Sequence, residues 1–144
     1  MFAKQLTVFI ENKQGRLSVV LNVLKEADVN ILSLSLSDTT EFGLLRLIVD
    51  NAERGKELLA EKGFSSLLSD VSVIKIPHKV GSLQNILETI DKKGGNIEYM
   101  YGLSIEANEA YVVLKATDSE KIEKILDDAG IVTVGCKELA ESKL

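Results

Sequence analysis

The sequence is poor in the side chains that most often carry chemistry. Its 144 residues include one cysteine, Cys136, and one histidine, His78. Neither a disulfide framework nor a metal site built from several such ligands is available within one chain, and Cys136 reads as a passive thiol. Basic clusters are missing too. There are 17 Lys and Arg against 22 Asp and Glu, a formal net charge of -5, whereas a nucleic-acid partner needs grouped cations to displace counterions. No stretch approaches the roughly 20 apolar residues of a membrane helix, and Met1 to Gln5 run into a strand-like alternation without a secretory apolar core. What remains, 45% hydrophobic and 27% charged, is the balance of a globular domain. The expectation is a cytoplasmic protein with no metal, no cofactor, no nucleic acid and no membrane partner.

What the sequence does have is a repeat. "NKQGRL" at Asn12 to Leu17 returns as "HKVGSL" at His78 to Leu83, and each is followed at equal distance by "NI", at Asn30-Ile31 and Asn96-Ile97. The offset of 66 residues also pairs Ile10 with Ile76 and Leu21 with Leu87. Beyond the turn near Thr40 and Asn108 it becomes 67, pairing Leu47 with Leu114, Glu53 with Glu120 and Gly63 with Gly130. A one-residue insertion in a hairpin accounts for the step.

Periodicity gives each copy the same order. "LTVFIE" alternates, "RLSVVLNVLKEA" places Leu17, Val20, Leu21 and Leu24 at helical spacing, "ILSLSLSD" and "LLRLIVD" are strands, and "NAERGKELLAEKG" is a helix closed by Gly63. "FSSLLSD" is a weaker fourth strand. The second copy reads "VSVIKIP", "SLQNILETIDKKG", "IEYMYGLSI", "AYVVLKA", "DSEKIEKILDDAG" and "IVTVGC", with Asp118 and Gly130 as its N- and C-caps. The fold class is α+β: two ferredoxin-like βαββαβ units, each a four-stranded antiparallel sheet with two helices on one face. The division falls between residues 1–70 and 71–144.

The repeated turn is where chemistry is expected. Gly15 and Gly81 sit between strand 1 and helix 1, where glycine permits positive φ and close approach. The free amides of the first helical turn then favour an anion such as a carboxylate. The spacing Asn12 to Asn30 equals that of His78 to Asn96, and these side chains are read as bracketing a small polar molecule there.

With those motifs in hand, the chain resembles a tandem pair of ACT domains, small regulatory modules that bind amino acids. The family's pattern is a polar residue closing strand 1, a Gly-x-Leu turn and "NI" opening strand 2; "ENKQGRL…VNI" and "PHKVGSL…GNI" match it twice. Gln14 and Val80 stand where many members carry proline. The resemblance implies ligand contacts at Asn12, Gln14, Gly15, Arg16, Leu17, Asn30 and Ile31 in the first copy. In the second it implies His78, Val80, Gly81, Ser82, Leu83, Asn96 and Ile97. It also implies that ACT units are joined side by side through strand 2 and helix 1 with ligands in the seam, both units here being available within one chain.

Alternation along strand 2 predicts Leu32, Leu34 and Leu36 facing the helices and Ser33, Ser35 and Ser37 facing outward. In the second copy the outward set is Tyr99, Tyr101 and Leu103, joined by Tyr111 and Val113, and this is expected to be an interface with a second chain or a client protein. Enzyme activity is not expected. The carboxylates lie on solvated helix faces, His78 has no orienting partner in sequence, and Arg16 lacks the run of backbone donors of an acylphosphatase-like cradle. An aromatic RNA-binding sheet is disfavoured by Phe9 and Lys75 on strand 1 and by the acidic balance. The reading is therefore a sensor of a free L-amino acid that regulates a separate metabolic enzyme in trans, as a homo-oligomer, expected to be a dimer. The alternative is an interaction module that keeps the fold without a ligand.

Overall fold

A computed structural model of the chain describes residues 1–38, 41–105 and 108–141. The elements follow the expected order twice: β1 (Ala3–Glu11), α1 (Arg16–Glu26), β2 (Ile31–Asp38), β3 (Phe42–Val49), α2 (Ala52–Glu61), β4 (Ser66–Pro77), then α3 (Ser82–Lys92), β5 (Ile97–Ile105), β6 (Glu109–Ala116), α4 (Ser119–Asp128), β7 (Val132–Val134) and α5 (Cys136–Glu141). Two compact units result. One comprises Lys4–Ser69 with residues 139–141, and the other Asp70–Glu138 with Met1–Ala3.

In the first unit β3 pairs antiparallel with both β1 and β2, and the Phe9 N–H donates to the Ser65 carbonyl at 3.0 Å as the chain enters β4. Alternate residues Leu6, Val8 and Ile10 of β1 and Leu45, Leu47 and Val49 of β3 meet Val20, Val23 and Leu24 of α1 and Leu59 of α2 in one core. Burying each such side chain is worth about 1.5 to 3 kcal/mol. The second unit repeats the pattern, with β6 paired to β4 and β5, and β7 on the other side of β4. Ile74, Ile76, Leu114 and Ala116 of its sheet pack on Ile90, Ile122, Ile125 and Leu126. The Asp118 cap falls where expected, its carboxylate accepting from the Lys121 N–H at 3.1 Å; the C-caps of α2 and α4 are Lys62 and Ala129, each one residue before the expected glycine, and Gly63 and Gly130 follow them with φ of 84° and 72°.

Four features depart from the sequence reading. "FSSLLSD" and "VSVIKIP" are not two strands but parts of one, β4. Its leading residues serve the first core through Leu68 and its later ones serve the second through Ile74 and Ile76. A short helix, α5, follows β7, and its Leu139 is 1% exposed. Leu34 and Leu36 do share the helix-facing side with Leu47 and Leu45, to which they are paired, yet they are 51% and 53% exposed, because on the edge strand the helices do not cover them. Ser33, Ser35 and Ser37 are half-buried on the other face.

The fourth departure concerns the step in the repeat. The row Asp38–Gly43 matches Ile105–Ala110, and Leu34–Leu47 matches Met100–Leu114. The register shifts between Gly102 and Ser104, so the additional residue is Leu103, accommodated as a β-bulge inside β5 rather than in a hairpin. Thr40, near which the sequence reading placed the step, lies outside the described residues.

Candidate functional site

The two glycine turns are built alike. In the first, the Lys13 N–H donates to the Glu11 carbonyl at 2.7 Å and the Arg16 N–H to the Lys13 carbonyl at 3.3 Å. In the second, Lys79 donates to Pro77 at 3.0 Å and Ser82 to Lys79 at 3.2 Å. Gly15 and Gly81 take φ of 84° and 87° at the N-caps of α1 and α3, and neither cap has a side-chain hydrogen bond. The other two long helices differ: α2 and α4 begin under the side chains of Asn51 and Asp118. The helices that open at the repeated motif are thus the two long helices without a side-chain N-cap hydrogen bond, and nothing outside the turn's own neighbours lies within 4 Å of where a Cβ on either glycine would stand.

Beside the first turn lies a cavity of about 320 Å³. Ile10, Leu17 and Leu36 give it an apolar side, Glu11, Lys13 and Asp38 bring charges of both signs, and Asn12, Ser37 and Gly43 complete it. Lys13 Nζ stands 3.1 Å from the Glu11 carboxylate. That hydrogen bond and the Lys13 charge hold the Glu11 carboxyl below its usual range, with Arg16 contributing at longer reach.

Of the residues expected to meet a ligand, Asn12 and Leu17 line this cavity. Arg16 does not; its guanidinium sits 4.6 Å from the centroid of the Phe64 ring. Asn30 and Ile31 line a different cavity, of about 340 Å³, with Lys25 and Asp28. The Asn30 N–H donates to Asp50 Oδ1 at 2.9 Å and its carbonyl accepts from the Asp50 N–H at 3.1 Å. Asn96 makes the corresponding backbone bond to Thr117 at 3.1 Å, and its side-chain amide donates to Thr117 Oγ1 at 2.8 Å.

Asn12 and Asn30 stand at opposite ends of their unit. Glu11, just before Asn12, pairs with Phe42 at the start of β3, whereas Ile31, just after Asn30, pairs with Val49 at its end. Seven residues of strand separate those levels, about 23 Å at 3.3 Å per residue, so one unit cannot close both side chains on a single small molecule. In the second unit the His78 N–H donates to the Asn108 carbonyl at 2.9 Å, Gly81 caps α3, Val80 and Ser82 lie in and just after the turn with Val80 fully exposed, and Leu83 and Ile97 pack against the core. Gln14 is exposed in the first turn.

Tyr99, Tyr101, Tyr111 and Val113 do share one face, through the pairs Tyr99–Lys115 and Tyr101–Val113. Tyr111 and Val113 are only 8% and 0% exposed, and Tyr99, Tyr101 and the bulge residue Leu103 are half-buried, so the set is not an open aromatic surface. The sequence reading missed Ile10, Glu11, Lys13, Leu36, Ser37, Asp38 and Gly43 as cavity residues. Asp38 and Gly43 come from the far hairpin, and only strand register brings them there.

Among the described residues no group of three or more His, Cys, Asp or Glu could hold a metal ion, and no helix is long and apolar enough to cross a membrane.

A family model described as an ACT domain pair matches residues 1–142. Among solved structures, protein BT0572 from Bacteroides thetaiotaomicron is 32% identical over 96% of each chain with a TM-score of 0.91. The ligand-free regulatory subunit of aspartate kinase from Thermus thermophilus is 19% identical over 88% of this chain and 91% of its own, with a TM-score of 0.61. The corresponding subunit from Thermus flavus is 17% identical over 90% and 94%, with a TM-score of 0.58. No curated protein matches the chain.

Proposed function

The chain belongs to the ACT domain pair family, and we propose that it is a non-catalytic sensor that binds a free amino acid at the glycine turn and regulates a separate enzyme of amino-acid metabolism in trans. The observation that carries the reading is the cavity beside Gly15. It offers a cation at Lys13, carboxylates at Glu11 and Asp38 and an apolar wall of Ile10, Leu17 and Leu36, next to a helix whose first amides no side chain caps. An amino acid carries the matching three parts: a carboxylate for the lysine and the helix N-terminus, an ammonium for the acids, and a side chain. The fold shared with regulatory subunits of aspartate kinase supports a regulatory role.

The ligand is proposed to sit at an interface of two ACT units. Asn12 and Asn30 belong to opposite ends of one unit, so a ligand meeting both takes them from two. Two units laid antiparallel along β2, one from each of two copies of the chain, would bring the Asn12 end of one to the Asn30 end of the other. The exposed Leu34 and Leu36 supply apolar surface for such a pairing, which would also cover an edge strand. A ligand in that seam shifts the assembly only by its differential affinity for the two packings, typically about 1 to 3 kcal/mol. The same exposed edge favours the second reading, an interaction module that holds its partner without a ligand.

A thermal-shift screen against the twenty L-amino acids tests the proposal. A ligand at about 100 times its Kd adds roughly 2.7 kcal/mol, a rise of several degrees for a protein of this size. A rise with one chemical class is expected; silence across the panel would transfer the weight to the interaction module.

A further inference from the structure

We propose that the two repeats have parted in chemistry: the amino acid is held in the first unit alone, where Asp38 receives its ammonium group and Gly43 leaves the floor on which it lies. The inference rests on the sensor reading above and adds to it which copy binds and through which groups.

The evidence is a row-by-row comparison of the sheets. In the first unit Asp38, Gly43 and Ile10 lie side by side across β2, β3 and β1. In the second, the same row is Ile105, Ala110 and Ile76 across β5, β6 and β4. One level toward the turn, Glu11 stands opposite Phe42 where Pro77 stands opposite Glu109. Both carboxylates on the rim of the first cavity are therefore replaced by apolar residues, Asp38 by Ile105 and Glu11 by Pro77, while Lys13 has its counterpart in Lys79. The cation survives in both copies and these two acids in one; the carboxylate that the second unit does carry at this level, Glu109, stands on the neighbouring strand and is paired with Lys75 at 3.0 Å.

The floor differs as well. A Cβ on Gly43 would meet Leu36 Cδ1 at 3.4 Å and the Ile10 carbonyl at 3.8 Å, ordinary contacts that cost the fold little but occupy the space between Asp38 and Ile10. The second unit has that methyl already, as Ala110. Beside its row lies a cavity of about 410 Å³ whose lining, among the described residues, includes Leu103, Ile105, Ala110 and Val112 and no Asp, Glu, Lys or Arg. An ammonium group entering it would give up its hydration with no carboxylate among the described residues in return.

Titration calorimetry and thermal shift on the full chain test this. The probes are the twenty L-amino acids, with propionate, isobutyrate and 3-phenylpropionate as acids that lack the amine. The expected result is one amino acid bound per chain. Asp38→Asn should weaken that binding roughly tenfold or more, the loss of a charge-assisted hydrogen bond, while any response to the amine-free acids is kept or strengthened, since the variant removes a like charge from beside their carboxylate. Gly43→Ala, which copies the second unit's row without disturbing the core, should weaken both. Two equivalents per chain, or unaltered amino-acid affinity in both variants, overturns the assignment and leaves the sensor reading standing. A wild-type chain that answers to no amino acid overturns both, and does so before any variant is compared.

Discussion

Gly95 lies directly against Ile122: a Cβ on the glycine would stand 2.8 Å from the isoleucine's Cδ1 and 2.7 Å from Ile90 Cγ2. In the first unit the corresponding positions are Val29 and Gly55, with the sizes exchanged. There it is the residue on α2 that is small, and a Cβ on Gly55 would meet Leu24 and Leu6 side chains at 3.2 Å. The two cores fill one space from opposite sides. Gly95→Ala should destabilise the chain by about 1 to 3 kcal/mol through overpacking, and Ile122→Ala by about 2 to 5 kcal/mol through the cavity it leaves. The double variant Gly95→Val with Ile122→Ala should cost less than the sum of its singles, by about 0.5 to 3 kcal/mol. Denaturant midpoints at unchanged m-value measure all of these; strict additivity would show that the two positions do not share one space.

Asn96 is tied to Thr117 through both its backbone and its side chain, fastening the start of β5 to the end of β6. Asn96→Ala should lower stability by about 0.5 to 1.5 kcal/mol, the net worth of one hydrogen bond, and leave amino-acid affinity unchanged. A loss of affinity at unaltered stability would instead give Asn96 a place in a binding site.

Arg16 sets its guanidinium over the Phe64 ring and is not one of the residues that line the cavity. Arg16→Lys gives up the planar stacking while keeping the charge, and should cost about 0.5 to 1 kcal/mol with no change in ligand affinity. Phe64→Leu in the Arg16→Lys background should then show that part of the two losses is shared, in a double-mutant cycle read by chemical denaturation.

The Glu11 carboxyl is held below its ordinary value of 4.5, chiefly by its hydrogen bond to Lys13. A carboxyl with a lowered folded pKa contributes stability that is present above the unfolded value and lost as pH falls through the folded one. The melting-temperature difference between wild type and Glu11→Gln should therefore be small and constant near neutrality and disappear as the solution is acidified below 4.5. Because the pair is exposed, added salt should shrink it. A difference that grows on acidification would show the sign of the shift to be wrong.

Much of this molecule was legible from its residues, and the legible part has a common character. The βαββαβ order, the Asp118 cap and the turns at Gly15 and Gly81 depend on patterns that close within one helical turn or one pleat, so neighbouring residues state them in full, and the duplication shows because those local patterns return in the same order. The misread parts lie one level up. β4 was divided because its core-facing side changes owner along its length, Leu68 serving one unit and Ile74 the other. α5 went unseen because six residues are too few to display a period. The extra residue of the second copy was placed in a hairpin, since a bulge shows only in strand register.

The candidate site divides in the same way. Sequence determined the glycine turn and the side chains beside it, Asn12 and Leu17, because they are consecutive in the chain and the turn fixes where they go. Tertiary structure alone decided that Asp38 and Gly43 complete the cavity, that Arg16 leaves it for Phe64, and that Asn30 stands at the far end of the sheet. These outcomes follow from which residues of separate strands lie opposite one another. That register is set by burying Leu45 and Leu47 against the helices, a free-energy balance over the whole core that no local stretch of sequence states.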